Sequence, residues 1–180
     1  MIGRKPKLTW KAIPVVLLFG IGVPLGVIVI GRGVDWMFNL SPFPPFPLNL
    51  LLGAMGLLLG YIFGLCSIYN LYQAGSGLPW GDVDPEAQSS KLVTRGLYRY
   101  TRNPMIFGTF CLLMGFGFVV QSVTALTLFP SMLLAMLYIW VKNREEPALE
   151  KRFGQEYIAY KRNTPFLFPR PWRLISKKEP

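Results

Sequence analysis

The chain has 180 residues, 52% hydrophobic and 16% charged, with a net charge of +10 and no histidine. A soluble domain carries roughly 25% charge, so the deficit points to lipid exposure. The basic residues flank apolar runs and form no separate basic domain, which argues against a nucleic-acid reader. Two cysteines, Cys66 and Cys111, are too few for a disulfide framework or a zinc site and are expected to be buried core thiols.

The first apolar run is Ile13–Ile30, preceded by Arg4, Lys5, Lys7 and Lys11. It is longer than the apolar core of a cleaved signal and reads as a retained anchor helix. Residues 34–47 are expected to form a connection, since Pro42, Pro44, Pro45 and Pro47 forbid a helix there. The second span is Leu48–Tyr72. Gly56, Gly60 and Gly64 recur on one face of it, as Gly22 and Gly26 do on the first span, a packing device in membranes.

Residues 73–103 are polar and turn-rich, becoming basic toward their end. Two further apolar runs follow, Met105–Val120 and Val123–Val141, joined by Gln121-Ser122 alone, so they must form an antiparallel hairpin. Each is near the lower limit for crossing a core of about 30 Å, and Pro130 is a candidate kink. In the polar tail, Pro147–Arg162 is expected to form one amphipathic helix, with Leu149, Phe153, Tyr157 and Tyr160 at helical spacing. It would lie on the membrane surface or cover a membrane-embedded site. The fold class is therefore all-α, a membrane bundle of about four transmembrane helices with a C-terminal cytosolic amphipathic helix. Residues 1–72 read as a two-span scaffold and residues 73–180 as loop, hairpin and tail of the same membrane domain.

Lysines and arginines number four in the N-terminus, one in the 31–47 connection, four in the 73–103 loop and ten in the tail. With four spans, the first, third and fourth segments share a side, which the positive-inside rule makes cytosolic, both termini included. Trp10, Trp36, Trp80 and Trp140 fall at or near span ends, as an interfacial belt requires.

The spans carry almost no ionisable residues, which argues against a channel or proton-coupled transporter. Polar groups gather instead where the hairpin returns to the cytosolic level. Thr94-Arg95-Gly96-Leu97-Tyr98-Arg99-Tyr100-Thr101-Arg102-Asn103-Pro104 enters the third span, and Lys142-Asn143-Arg144-Glu145-Glu146-Pro147 leaves the fourth. Surface ion pairs of little energetic value are one reading of this charge. Adjacent glutamates point in different directions on a helix, so the two cannot duplicate a single pair.

These segments, with Gly108, Gly115-Phe116-Gly117 and Phe153-Gly154-Gln155-Glu156-Tyr157-Ile158-Ala159-Tyr160, resemble the isoprenylcysteine carboxyl methyltransferase and phospholipid methyltransferase family. The likeness runs from about Leu92 to Pro169 and rests on order and spacing together. It implies methyl transfer from S-adenosylmethionine to a lipophilic or small acceptor at the cytosolic membrane face. Carried over by position, it implicates Tyr98, Arg102, Asn103, Pro104, Gly115, Gly117, Glu145 and Glu146 in cofactor binding, with Arg102 and Glu146 also catalytic. Arg102 suits the cofactor's carboxylate, and the glutamates suit its ammonium and ribose hydroxyls. Helix packing is the competing role for Gly115 and Gly117.

The family's R-H-P-x-Y-x-G pattern reads Arg102-Asn103-Pro104-Met105-Ile106-Phe107-Gly108 here. Asn103 can hydrogen-bond but cannot act as a base, and Ile106 lacks the tyrosine's hydroxyl. Direct in-line displacement needs chiefly alignment. An ionised carboxylate or thiolate acceptor needs no base, whereas an amine would lose a proton to Glu145, Glu146 or water. Two other readings stand beside this one. Some sterol and isoprenoid reductases resemble the same C-terminal architecture and would bind NADPH, and a small-residue-rich bundle can serve as a non-catalytic packing partner.

Overall fold

A computed structural model describes Leu17, residues 21–75 and residues 89–170. Among these, the secondary structure is helical without a strand. The helices are α1 (Val23–Met37), α2 (Leu48–Gly75), α3 (Pro104–Val119), α4 (Val123–Trp140), α5 (Glu146–Phe153) and α6 (Gln155–Asn163), with a 3₁₀ turn at Gly96–Arg99. A π-helical segment, Val141–Glu145, joins α4 to α5. Most of the first apolar run before Ile21, Trp10, Trp80 and the last ten residues lie outside the described residues.

Two helical stretches among the described residues are long and apolar enough to cross a membrane, Leu48–Ala74 and Val123–Phe153; Pro104–Val119 is apolar but shorter. Only 17% and 22% of their apolar windows are buried. The core helix of a soluble protein would be mostly buried, so these faces fit lipid contact. Leu51, Met55, Leu58, Ile62 and Leu65 of α2 are exposed, as are Met132, Met136 and Ile139 of α4. Cys66 is exposed on the same outer surface of α2, which corrects the expectation of two buried thiols; Cys111 is buried.

The chain divides into two compact units, and the division falls inside α2, α3 and α4. One comprises residues 7–62 and 108–139. Here glycines set the helix packing. A Cβ on Gly56 would stand 2.8 Å from the Gly115 Cα, and one on Gly60 2.5 Å from the Leu112 side chain, so α2 and α3 touch backbone to backbone. Gly53 belongs to this seam, against Val119. Gly26, by contrast, faces open space. Val27, Leu113 and Ala125 form the buried core of this unit, with Val23, Val120, Phe129 and Leu133 around them.

The α1 helix continues past Ile30 to Met37, three residues beyond the expected start of the connection. Tertiary contacts carry it there. Gly31 packs on Ser122 and Ala125, Arg32 donates to the Val120 carbonyl at 2.8 Å, and the buried Asp35 receives the Thr124 N–H at 3.0 Å and its hydroxyl at 2.6 Å. Asp35 thereby supplies a carboxylate at the α4 N-terminus, where unsatisfied N–H groups favour negative charge. The Gln121-Ser122 link forms the tight hairpin as expected. Gln121 takes a positive φ of 53° and donates to the Pro44 carbonyl at 2.8 Å, while the Ser122 hydroxyl caps the Ala125 N–H. Pro130 is held within α4.

The second unit contains residues 63–107 and 140–180. Its 3₁₀ turn starts at Gly96, where φ is +61° and a Cβ would collide with the Asn70 side chain of α2. The expected helix Pro147–Arg162 is two helices, broken at Gly154 with φ 54° and ψ −130°, a conformation open essentially to glycine.

Leucine at Gly56 or Gly115 should lower the stability of detergent-solubilised protein by about 1–3 kcal/mol through overpacking. Leucine at Gly26, which meets no neighbour within 4 Å, should leave the midpoint of thermal unfolding unchanged or slightly raised.

Candidate functional site

Arg102 lies two residues before α3, and its guanidinium is 9% exposed. Nη1 meets Glu146 Oε1 at 2.8 Å, and Nε donates to the Thr164 carbonyl at 3.1 Å. Tyr157 of α6 stands 3.5 Å from Nη1 through its hydroxyl. Glu146 begins α5 and is 2% exposed. Its carboxylate also takes Lys142 at 3.1 Å, one turn earlier, and Lys161 of α6 at 2.5 Å. Lys161 bridges on to Glu150 at 2.7 Å. A carboxylate withdrawn from water needs charged partners, and three converge on this one. The hydrogen bonds to Glu146 and Glu150 in turn raise the pKa of Lys161.

The segment after α6 runs as a strap along the residues that enter α3. The Arg102 N–H donates to the Pro165 carbonyl at 2.9 Å, and the Arg170 N–H to the Tyr100 carbonyl at 3.2 Å. The Asn103 amide donates to the Phe166 carbonyl at 2.9 Å, and the fully buried Thr101 hydroxyl reaches the same oxygen at 3.3 Å. Phe63, Phe107 and Phe168 follow one another edge to face, with centroids 4.7 and 6.2 Å apart.

Three tyrosines complete the site. Tyr160 donates its hydroxyl to the Tyr98 carbonyl at 2.6 Å, tying α6 to the 3₁₀ turn. Burial, and secondarily the charge of Glu145, pushes the Tyr98 phenol far above its ordinary pKa. Burial acts the same way on Tyr160 and raises Tyr157 as well. All three are therefore neutral hydroxyls at physiological pH and can donate hydrogen bonds.

Six of the eight residues singled out in the sequence, Tyr98, Arg102, Asn103, Pro104, Glu145 and Glu146, belong to this one unit. Pro104 is the fully buried first residue of α3, where its missing N–H costs no helical bond. The paired glutamates do diverge: Glu146 is buried among cations while Glu145 is half-buried near Tyr98 and Tyr157. Gly115 and Gly117 belong to the other unit and serve helix packing. A Cβ on Gly115 would lie 2.7 Å from the Leu57 nitrogen of α2, and one on Gly117 2.8 Å from the Leu126 side chain of α4. Residues two apart on a helix face roughly opposite directions, so this pair admits a neighbour on each side of α3.

Lys142, Lys161, Thr164 and Phe166 were not singled out. Lys161 had a signal, since it shares with Tyr157 and Tyr160 the i, i+3, i+4 face of α6. Thr164 and Phe166 act through backbone carbonyls in a loop, which leaves no pattern in sequence.

The donor set fits a zwitterionic, hydroxyl-bearing cofactor such as S-adenosylmethionine. Both Glu146 oxygens are taken by cations, whereas Arg102 bonds through Nε and Nη1, and among the described residues Nη2 has no hydrogen-bond partner. By chemistry a carboxylate such as Glu145 suits an ammonium or a sugar hydroxyl, and the neutral Tyr98 hydroxyl suits an acceptor.

The family model described as phospholipid methyltransferase matches residues 48–156, beginning well before the stretch that carries the resemblance in sequence. The chain is also 32% identical over 83 residues to the nickel-cobalt-cadmium resistance protein NccN of Alcaligenes xylosoxydans xylosoxydans. That match covers 46% of this chain and 38% of the relative's length.

Glu146→Gln should leave Arg102, Lys142 and Lys161 facing one another and cost about 2–3 kcal/mol in chemical unfolding. Breaking a fully buried pair costs roughly 3–5 kcal/mol, and the two partly exposed lysines reduce that. A second expectation concerns alkaline pH. The folded pKa values of Tyr98 and Tyr160 lie above the unfolded ~10, so their contribution to stability is present below about pH 10 and lost as pH rises through the folded values. Tyr98→Phe/Tyr160→Phe protein should therefore show the same rise in tyrosinate absorbance as wild type up to about pH 11.

Proposed function

The chain belongs to the phospholipid methyltransferase family, and from that premise we propose an integral membrane enzyme that transfers a methyl group from S-adenosylmethionine to a lipophilic or small acceptor. The observation that carries this reading is the gathering of Arg102, Glu145, Glu146 and Tyr98 around Tyr157 and Tyr160 in one polar cluster, in a chain whose long helices expose apolar faces. We place four spans in the bilayer with both termini cytosolic. Eighteen of the 19 lysines and arginines then share one side, as the positive-inside rule favours.

When bound, the cofactor supplies an electrophilic methyl carbon on sulfur. The residues of the chain hold and orient. Arg102, its Nε and Nη1 fixed by Thr164 and Glu146, offers Nη2 to the cofactor's carboxylate. Glu145 takes the ammonium or a ribose hydroxyl, and Tyr98, held neutral, donates a hydrogen bond. Glu146 acts on Arg102 rather than on the ligand, because its own oxygens are filled. A thiolate or carboxylate acceptor reacts without a base, so alignment supplies the rate. For an amine acceptor the proton passes to Glu145 or to water, Glu146 being held by three cations.

Calorimetric titration of the protein in detergent tests this reading. S-adenosylhomocysteine should bind saturably and NADPH should not, and Glu145→Gln should weaken binding about 10–100-fold, the worth of a charge-assisted hydrogen bond. Wild-type protein that bound NADPH in preference would sink the methyltransferase assignment.

A further inference from the structure

The position that the family fills with histidine is Asn103 here, and its surroundings define a role that needs neither basicity nor contact with a ligand. Its amide nitrogen faces the Phe166 carbonyl at 2.9 Å. A carbonyl can only accept, so the group turned toward it must be the NH₂. Beside it, the Thr101 hydroxyl accepts from the Asn103 N–H and lies 3.3 Å from the same Phe166 oxygen. These bonds sit at the centre of the strap 164–170, between the Arg102–Pro165 and Arg170–Tyr100 backbone bonds.

What the strap carries matters for Arg102. Its Thr164 carbonyl accepts from the guanidinium Nε, and the Phe166 ring stands 5.7 Å from the Arg102 guanidinium carbon and 5.7 Å from the Lys142 ammonium. A ring face at that distance attracts both cations. The guanidinium is thus held both by Glu146 and by the strap.

We propose that Asn103 is a positioning residue, whose amide donor holds the strap 164–170 so that Thr164 and Phe166 fix the Arg102 guanidinium in its ligand-binding pose. This deepens the cofactor reading and rests on it. The requirement is an N–H donor, which asparagine and histidine share. The substitution Asn103→Asp keeps the side-chain shape but removes the donor, setting a carboxylate against a carbonyl.

The full-length protein in detergent provides the test, with two readouts. In cofactor-free protein, Asn103→Asp should raise amide hydrogen exchange across residues 164–170 about tenfold, the worth of one buried hydrogen bond, and Asn103→His should restore protection. S-adenosylhomocysteine affinity should fall about tenfold in Asn103→Asp and recover in Asn103→His, with KM for S-adenosylmethionine moving more than kcat. Phe166→Leu, which leaves the backbone bonds of the strap intact, should weaken affinity without raising exchange. Weakened binding in Asn103→Asp with unchanged exchange would overturn the proposal, since Asn103 would then act on the ligand directly. Equal loss in Asn103→His and Asn103→Asp would overturn it too. Failure of wild-type protein to bind S-adenosylhomocysteine would overturn the cofactor reading alone, and the exchange arm would still decide whether Asn103 holds the strap.

Discussion

A carboxylate removed from water is the constraint around which the charged unit is organised. Glu146 is almost fully buried, and an isolated charge there would be prohibitive. Arg102 from the residues before α3, Lys142 from the π segment and Lys161 from α6 all meet it. Segments distant in sequence are thereby required to converge. Such clusters rarely exceed the stability of a well-packed apolar alternative. Their value here is geometric, since they fix the Arg102 guanidinium through Nη1 while Thr164 holds Nε.

Two backbone irregularities make that convergence possible. The π segment Val141–Glu145 interrupts an otherwise continuous helical run directly before Glu146. Insertions of this kind re-aim the side chains that follow and recur at functional sites. Gly154 then turns α6 away from the direction of α5 through a dihedral pair that a side chain would forbid. Consequently Tyr157, Tyr160 and Lys161 reach Arg102, Tyr98 and Glu146 respectively, which a straight helix from Pro147 to Arg162 would not ensure.

In the other unit the organising force is different. Small residues let α2 and α3 approach until backbone meets backbone, and dispersion contacts replace the hydrophobic drive that lipid does not supply between helices. Several of its polar groups find partners within the unit: Asp35 on Thr124, Arg32 on Val120, Gln121 on Pro44. The match to the phospholipid methyltransferase family covers residues 48–156, which fall in both units.

Composition and pattern alone determined the helical class, the two long apolar helices, the tight Gln121-Ser122 hairpin and the gathering of Arg102, Asn103, Glu145 and Glu146. Hydrophobic run length and a two-residue link admit few alternatives. The glycine seam was legible in kind, though its members are Gly53, Gly56 and Gly60, while Gly26 and Gly64 face open space. Only tertiary structure decided that Gly115 and Gly117 pack helices, that α1 runs on to Met37, that Cys66 faces outward and that the tail helix breaks at Gly154. It also separated the two glutamates into a buried anchor and a half-buried neighbour of Tyr98. Those outcomes depend on which face of a helix meets which neighbour and on bonds to backbone carbonyls such as those of Thr164 and Phe166. Every residue carries such a carbonyl, so no side-chain pattern marks the ones that are used.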